Sequence, residues 1–446
     1  MVSCPALFVA APASGHGKTT VVAALARLNT RLGRRVRVFK CGPDFLDPMI
    51  HAHASGHPCE NIDLMMCGED DARFRLARAA AEADLVLVEG VMGLYDSEPT
   101  GAELARRLGL PILLVIDAAA MGASFGAIAW GLKTYRDGAP ITHALANRVA
   151  GEFHAGLCRE SLPEGILWAG SLPRAAEAAL PERHLGLLPA AEIAHLDARL
   201  ERLADLLAHT PLATLPPAVD FRAVPPAPTF RGESAPGGTS PFPPAPTFTR
   251  PLEGRVIAVA RDAAFCFLYP ANLECLEALG ARLAFFSPLH DAALPECDAV
   301  WLPGGYPELH AETIAANAAM RQALQAHVAA GKPLLAECGG LMACCETLHD
   351  LTGRAHRMWG LLPGVTRMQK ELAGLGLLAA ELPEGRLTGH SFHFSTFESP
   401  LAPVAQAVSL AGRGGEAIWR RGRLTASYMH CYFPSNPRAA ASLFLS

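Results

Sequence analysis

The chain has 446 residues, of which half are hydrophobic and 18% are charged. This length exceeds what one ordinary core accommodates, so two or three domains are expected, with ample apolar material for buried sheets. The formal net charge of −5 gives no electrostatic reason to expect nucleic acid as the main partner, whereas a local basic site would still suit a small acid.

Residues 1–12 are apolar but lack the basic segment of a secretory signal, and they lead directly into a phosphate-loop motif, which predicts a core strand. No apolar run reaches the length of a membrane span, so no membrane partner is expected. The twelve cysteines show no C-x-x-C spacing, which favours a reducing cytoplasm. His51, His53, His57, Cys59 and Cys67 crowd one region without regular ligand spacing, which favours coincidence over a structural metal site.

Residues 1–208 are predicted to form a first domain, because aliphatic strands alternate with helical segments as in a parallel sheet covered on both faces. The predicted strands are 7–11, 36–41, 85–89, 112–117, 143–149 and 166–171. A proline-rich linker is predicted at 209–252, with a near-repeat at 225–230 and 243–248.

Residues 253–446 are predicted to form a second α/β domain. Its predicted strands are 256–260, 283–287, 299–303 and 334–337. A strand-rich part with Gly/Pro turns begins near residue 359, and its last predicted strand is 424–432.

A phosphate loop is predicted after the first strand, where the backbone N–H groups of a glycine-rich turn and the start of a helix can wrap phosphate oxygens. Lys18 would reach the β- and γ-phosphates, and the Thr19 hydroxyl would bind Mg²⁺. The usual first glycine of this motif is Pro12 here, so Gly15 has to supply flexibility. A turn without nucleotide is the alternative, but the preceding strand and following helix argue against it. The candidate binding residues are Ser14, Gly15, His16, Gly17, Lys18, Thr19 and Thr20.

Acidic residues follow two of the predicted strands, at the edge where open α/β sheets bind ligands. Asp44 is a candidate Mg²⁺ ligand because hard cations take oxygen ligands, although Gly-Pro-Asp is also good turn chemistry. Glu89 ends an apolar strand, where an unpaired buried charge would be costly. This second acid favours the metal interpretation.

Cys338 is predicted to be a nucleophile, because it lies between an apolar strand and a helix and is flanked by small residues, like the serine of a nucleophile elbow. The helix N-terminus is expected to lower the pKa of its thiol. Gly304 and Gly305 would offer backbone N–H groups to an oxyanion, and His430 is a plausible base. The alternative for any cysteine is a buried structural thiol, which is the interpretation kept for the two at 344 and 345.

Together the two halves resemble one family, the glutamine-dependent a,c-diamide synthases of corrinoid biosynthesis. The resemblance covers essentially the whole chain outside the linker, through the segments S-G-H-G-K-T-T, K-C-G-P-D-F-L-D-P, V-E-G-V-M-G-L-Y-D, A-E-C-G-G-L-M and A-S-Y-M-H. It implies an α/β fold class, with an N-terminal phosphate-loop domain of the dethiobiotin-synthetase type and a C-terminal class I glutamine amidotransferase domain that is flavodoxin-like.

The resemblance implies that Cys338 attacks the amide of glutamine and releases ammonia, with His430 moving the protons. In the N-terminal half, a carboxylate of cobyrinic or hydrogenobyrinic acid would take the γ-phosphoryl group of ATP, and ammonia would then attack the acyl phosphate. Lys40 would meet charge on the phosphoryl group.

The resemblance also assigns the remaining site residues, residue by residue. Asp44 and Glu89 would hold Mg²⁺, while Asp47 and Asp96 would face substrate or intermediate. Asn147 would contact adenine, although an ordinary strand-end asparagine is the alternative. The expected partners are the small molecules corrinoid acid, ATP and glutamine, and the assembly is left open, with a homodimer as one option.

The chain departs from the pattern of class I amidotransferases at two places. The acid often found two residues after the histidine is Tyr432 here, so a Cys–His dyad is expected, as in the corrinoid branch. Ser391 stands where an acid would be expected, so His390 and His393 are interpreted as structural.

Three alternatives to this activity stay open. Two are related amidases, one making cobyric acid and one acting on nickel-sirohydrochlorin, which differ in substrate and not in chemistry. The third is a nucleotide-gated regulator without catalysis, against which the presence of Cys338, His430, Lys18 and Asp44 argues.

Overall fold

The computed structural model describes residues 1–175, 179–183, 186–187, 189–222, 250–410 and 414–445. These residues form two compact units, one within 1–64 and 68–222 and the other within 65–67 and 250–445. The core of the proline-rich segment, including the near-repeat at 225–230 and 243–248, lies outside the described residues. Among the residues that are described, no helix has the length and apolar character needed to cross a membrane.

The first unit is built around a parallel sheet. Its strands are β1 (Val2–Ala10), β2 (Val36–Cys41), β3 (Glu60–Ile62), β4 (Leu85–Glu89), β5 (Ile112–Asp117), β6 (Ile141–Val149), β7 (Leu167–Pro173), β8 (Glu182–Arg183), β9 (Gly186–Leu187) and β10 (Ala218–Phe221). The helices are α1 (Lys18–Arg31), α2 (Leu46–Ser55), α3 (Glu69–Ala80), α4 (Gly101–Leu108), α5 (Ser124–Thr134), α6 (Glu152–Glu160) and α7 (Leu196–Ala208).

The strand order β3-β2-β4-β1-β5-β6-β7 puts β1 near the centre of the sheet, and these strands all run parallel. Side chains of β1 alternate between two hydrophobic clusters, with Phe8 in one and Leu7 and Val9 in the other. Successive residues of a strand point to opposite faces, so both faces of the sheet are covered, as predicted.

The second unit combines parallel and antiparallel strands. They are β11 (Val256–Ala260), β12 (Arg282–Phe286), β13 (Ala299–Leu302), β14 (Leu334–Glu337), β15 (Thr347–His349), β16 (Ala355–Arg357), β17 (Val365–Met368), β18 (Gly374–Leu382), β19 (Gly385–His393), β20 (Ser395–Glu398), β21 (Ala405–Ser409), β22 (Gly415–Arg421), β23 (Leu424–Ser427) and β24 (His430–Tyr432). The helices are α8 (Pro270–Ala278), α9 (Ala311–Ala316), α10 (Ala318–Ala329), α11 (Gly339–Cys344) and α12 (Pro437–Ser442).

The larger sheet of the second unit has the order β12-β11-β13-β14-β23-β22-β21-β18-β19-β24. Its first five strands are parallel, whereas the remaining neighbours pair antiparallel. A four-stranded sheet, β16-β15-β17-β20, accompanies it. The nucleophile candidate therefore follows a buried parallel strand, as predicted.

Several predicted strands differ from the structure by one or more residues at their ends, the largest case being 7–11, which is part of β1 (Val2–Ala10), and two further differences have a structural cause. The single strand predicted at 424–432 is two strands, because the chain leaves β23 after Ser427 and His430 begins β24, which pairs with β19. Within the segment predicted as linker, residues Ala218–Phe221 form β10, which pairs antiparallel with the first residues of β1. These four residues form a β-ladder although the sequence on both sides of them is rich in proline.

A buried charge cluster supports the β2–β3 edge of the first sheet. The fully buried Arg75 reaches the Glu60 carboxylate at 2.5 Å and Asp71 at 2.8 Å. Arg37 and Arg78 contact the same Glu60 carboxylate at 3.0 and 3.2 Å. Removing one partner from such a cluster leaves buried charge without compensation.

We therefore expect Glu60→Ala to lower the free energy of unfolding by about 3 kcal/mol or more. Glu69→Ala is the matched control, because Glu69 pairs with Arg73 at the surface, where an ion pair contributes at most about 1 kcal/mol. Urea unfolding of both variants measures the difference. Equal losses would contradict the role assigned to the cluster.

Candidate active sites

The phosphate loop connects β1 to α1 and depends on a glycine at position 17. Gly15 and Gly17 have φ values of 81° and 94°, in the left-handed region that favours glycine. A Cβ at Gly17 would overlap the Asn147 side-chain amide, which donates to the His16 carbonyl at 2.9 Å. Asn147, predicted to contact adenine, therefore holds the loop in this structure.

His16 attaches the same loop to β5. Its Nδ1 accepts a hydrogen bond from the Asp117 backbone N–H at 2.8 Å, so the ring uses this nitrogen as an acceptor. Burial lowers the pKa of His16, which favours the neutral ring required for that role. The Asp117 carboxylate in turn contacts Arg148 at 2.5 Å.

The remaining loop candidates lie in the turn before α1 and in the first turn of that helix. Lys18 is buried, and its ammonium donates to the carbonyls of Met92 at 2.5 Å and Ala13 at 3.4 Å. Burial lowers the pKa of Lys18. Ser14 is exposed, and Thr20 is half-buried in the first turn of α1.

Glu89, at the end of β4, is the centre of a buried polar cluster. Its Oε1 accepts from the Lys40 ammonium at 2.8 Å and from the Thr19 hydroxyl at 2.9 Å. Its Oε2 contacts Nε2 of His51, and Lys40 also reaches Asp47 Oδ2 at 2.6 Å. Residues from the loop, two strands and α2 thus meet at one carboxylate.

The charges of this cluster depend on one another. Burial alone would lower the pKa of Lys40, but Asp47 and Glu89 outweigh it and hold that pKa well above the usual value. Burial likewise opposes the charge on Glu89, whereas Lys40 and His51 hold its pKa below the usual range. Burial raises the pKa of Asp47 despite the neighbouring ammonium. The ionised Lys40–Glu89 pair is therefore the stable core of the site.

Asp44 and Asp96 lie on the loops that follow β2 and β4. Asp44 Oδ1 accepts from the Leu46 backbone N–H at 2.7 Å, and its carbonyl accepts from Asn61 at 2.7 Å. Asp96 is exposed, and its Oδ2 accepts from the Gly93 backbone N–H at 3.1 Å.

The residues of this site fit Mg²⁺ by donor chemistry, because a hydroxyl and a carboxylate oxygen meet at 2.9 Å in the Thr19–Glu89 contact. Within the described ranges, no three His, Cys, Asp or Glu side chains are grouped as a metal site. Mg²⁺ is commonly held by one or two side chains together with substrate phosphates, which agrees with so small a protein set. His51 and His53 diverge, since His53 contacts Asp197 at 3.0 Å instead of Glu89.

Sequence reasoning missed His51 as a member of the site. Asp47 and His51 are four residues apart on α2, so they share one face of the helix and both reach the Lys40–Glu89 pair. The four-residue spacing of Asp47 and His51 was the feature of the sequence that could have identified His51. Asn61, which donates to the carbonyls of Gly42 and Asp44, carried no comparable signal.

Cys338 forms a strained turn between β14 and α11. Its φ of 47° and ψ of −104° are unusual for a residue with a side chain, and its backbone N–H donates to the Ser427 carbonyl at 2.8 Å. The expected lowering of its thiol pKa is wrong: burial raises the pKa, with the charge of Glu308 acting in the same direction. Desolvation outweighs the dipole of the six-residue helix that follows.

The Gly304–Gly305 loop touches both elements that carry the predicted dyad. A Cβ at Gly304 would overlap the His430 ring, and a Cβ at Gly339, directly after Cys338, would come within 2.9 Å of the Gly305 nitrogen. Only glycines permit so close an approach. The loop thus packs against His430 on one side and the start of α11 on the other.

His430 is buried, and burial lowers its pKa well below the usual value. Its ring stacks on His390, with centroids 4.8 Å apart and an interplanar angle of 14°. His390 Nδ1 lies 3.0 Å from the Tyr269 hydroxyl. His393 instead stacks on Tyr428, so the two histidines set aside as structural have different surroundings.

Glu337, the residue before Cys338, is a second buried acid that sequence reasoning missed. It ends an apolar strand, as Glu89 does, and this position at a strand end could have identified it from the sequence. Burial raises its pKa to about 7, although hydrogen bonds from Cys431 and Trp301 act in the opposite direction.

Gly17→Ala is expected to abolish nucleotide binding, because the new Cβ would displace the Asn147 amide and strain the loop. The control is Gly33→Ala, where φ is 79° but no neighbour lies within 4 Å. Titration with a fluorescent ATP analogue compares the two variants. Wild-type affinity in Gly17→Ala would contradict the close packing of Asn147 on the loop.

Comparisons with known proteins identify two domains in the chain. The family model of the CobQ/CobB/MinD/ParA nucleotide binding domain matches residues 7–188, and that of the CobB/CobQ-like glutamine amidotransferase domain matches 256–438. These matches confirm the predicted fold class.

Curated relatives match over nearly their whole length. Hydrogenobyrinate a,c-diamide synthases of Pseudomonas aeruginosa and Stutzerimonas stutzeri are each 55% identical, over 99% of this chain and 97% and 98% of the relatives. The cobyrinate a,c-diamide synthase of Herminiimonas arsenicoxydans is 45% identical over 98% of this chain and 96% of that protein. The chain therefore belongs to the family of the hydrogenobyrinate and cobyrinate a,c-diamide synthases.

Proposed function

We propose that the chain amidates the a and c acetate carboxylates of hydrogenobyrinic acid, using ATP and glutamine. The observation that carries the proposal is the full-length 55% identity to two relatives named for that substrate. Cobyrinic acid, the cobalt-containing counterpart, is the second candidate because a relative named for it is 45% identical.

In the glutamine half, the sulfur of Cys338 attacks the side-chain amide carbon of glutamine. His430 is held neutral by burial, so it accepts the thiol proton and later donates it to the departing ammonia. Water then releases glutamate from the thioester. Backbone N–H groups of Gly304 and Gly305 stabilise the oxyanion.

In the synthetase half, an oxygen of the substrate carboxylate attacks the γ-phosphorus of ATP, and ADP leaves. Ammonia then attacks the acyl carbon, phosphate leaves and the amide forms. Lys18 and Lys40 carry positive charge next to the phosphate loop, which suits stabilisation of the transferring phosphoryl group. Asp47 and Asp96 face the substrate or the acyl-phosphate intermediate.

Mg²⁺ would be held by Thr19, Asp44 and Glu89 and would neutralise charge on the ATP phosphates. The Thr19–Glu89 contact supports this role because both oxygens are hard donors. Lys40 keeps Glu89 ionised, as a metal-binding carboxylate must be.

Cys338→Ala should lose glutamine-driven amide formation by at least about a thousandfold, since the nucleophile is gone. Ammonia-driven amide formation should stay within about twofold of wild type, because ammonia bypasses the thiol. Cys344→Ala removes a neighbouring buried thiol and should retain both activities. The assay follows diamide formation with Mg-ATP and either nitrogen source.

Equal activity of Cys338→Ala and wild type with glutamine would contradict the thioester route. The same assay on hydrogenobyrinic and cobyrinic acids decides the substrate. A higher kcat/KM for cobyrinic acid would overturn the preferred macrocycle, and amidation of neither would overturn the corrinoid assignment.

Chelation of Mg²⁺ with EDTA should abolish ammonia-driven amidation, because phosphoryl transfer needs the metal. Glutamine hydrolysis by Cys338 should persist, since thiol attack needs no metal. Glutamate release and amide formation are measured in parallel, with excess Mg²⁺ added back as the control. Amidation that survives chelation would argue against the assigned ligands.

A further inference from the structure

The two members of the proposed Cys–His dyad lie in or next to strands that are not neighbours in the sheet of the second unit. Cys338 directly follows β14, whose sheet neighbours are β13 and β23. His430 begins β24, which pairs with β19 at the far end of the sheet order. β23, which pairs with β14, ends three residues before His430, but among the described strands no backbone ladder pairs β14 with β24 itself.

The Glu337 side chain links the end of β14 directly to β24. Its Oε1 accepts a hydrogen bond at 2.8 Å from the backbone N–H of Cys431, the residue after His430. Its Oε2 accepts at 2.9 Å from Trp301 Nε1 on β13. The carboxylate is 2% exposed, so two donors meet two acceptor oxygens in a dry environment.

The opposite side of Cys431 is fixed by another side chain. Asn272 of α8 donates to the Cys431 carbonyl at 2.8 Å and accepts from the Phe433 backbone N–H at 2.8 Å. Cys431 is therefore held at both its N–H and its carbonyl. The contact to the Cys431 N–H comes from Glu337 on β14, the strand that leads into Cys338, whereas the contact to its carbonyl comes from α8.

The pair of donors explains why an acid occupies this position. An ionised carboxylate offers two acceptor oxygens and no hydrogen, whereas a glutamine amide offers one oxygen and one NH₂ group. In a glutamine side chain at position 337, the NH₂ group would face either the indole N–H of Trp301 or the backbone N–H of Cys431. Two hydrogen-bond donors would then point at each other. A buried polar group without its partner is costly, so the substitution should disturb the connection.

We propose that Glu337 is a positioning residue for the glutamine half-reaction, setting the place of His430 relative to Cys338 by holding the N–H of Cys431. The inference rests on the proposed roles of Cys338 and His430. A small misplacement of reacting groups costs about a hundredfold in rate, so a positioning role predicts loss of kcat with little change in KM.

The test measures glutaminase kcat and KM for Glu337→Ala, Glu337→Gln, Trp301→Phe and the double variant Trp301→Phe/Glu337→Gln. Glu337→Ala should lose about ten- to a hundredfold in kcat, with KM for glutamine within about threefold. Trp301→Phe keeps the bond to Cys431 and should stay within about threefold of wild type. Ammonia-driven amidation should be unchanged throughout.

The double variant separates positioning from general destabilisation. With phenylalanine at 301, the glutamine oxygen can accept from Cys431 while its NH₂ faces an apolar ring, so kcat should recover at least about fivefold over Glu337→Gln alone. A double variant no more active than Glu337→Gln, or wild-type kcat in Glu337→Ala, would overturn the proposal.

Cys338→Ala and His430→Ala serve as references in the same assay. Retained glutaminase activity in either would overturn the proposed dyad itself. A normal dyad with an inert Glu337 would overturn the positioning role alone, so the two failures are distinguishable.

Discussion

The register of β2 against β4 places Lys40 directly beside Glu89, and the synthetase site is arranged around that pair. Glu89 ends β4 and Lys40 is the penultimate residue of β2, so their side chains meet where the parallel sheet opens to ligand. The phosphate loop brings Thr19 to the same carboxylate, and α2 brings Asp47 and His51. One strand register therefore fixes the relative positions of groups that are far apart in sequence.

The two candidate sites differ in how they treat buried charge. In the proposed synthetase site, buried charges are stabilised by pairing. The fixed positive charge there suits an anionic substrate and a transferring phosphoryl group. The glutamine site instead disfavours charge: burial raises the pKa of the Cys338 thiol and lowers the pKa of the His430 ring. In the proposed dyad both groups are then neutral before catalysis, and we expect proton transfer to accompany attack on the neutral amide.

Much of this was predictable from local pattern. The strands at 36–41, 85–89 and 334–337 follow from short apolar runs with a functional residue at the end, and the structure confirms their bounds. The break after Ser427 was not predictable, because Tyr428 and Met429 continue the apolar pattern while the chain changes partner strand. The thiol pKa of Cys338 was missed because burial depends on tertiary packing, which a motif does not encode.

In the proposed mechanism, a substrate carboxylate is activated as an acyl phosphate before ammonia attacks. Hydrogenobyrinic acid labelled with ¹⁸O in its acetate carboxylates tests this directly, with phosphate analysed by mass spectrometry after turnover with glutamine and Mg-ATP. An acyl-phosphate intermediate requires that each amide formed transfers one carboxylate oxygen to the released phosphate. Unlabelled phosphate accompanying labelled diamide formation would contradict it.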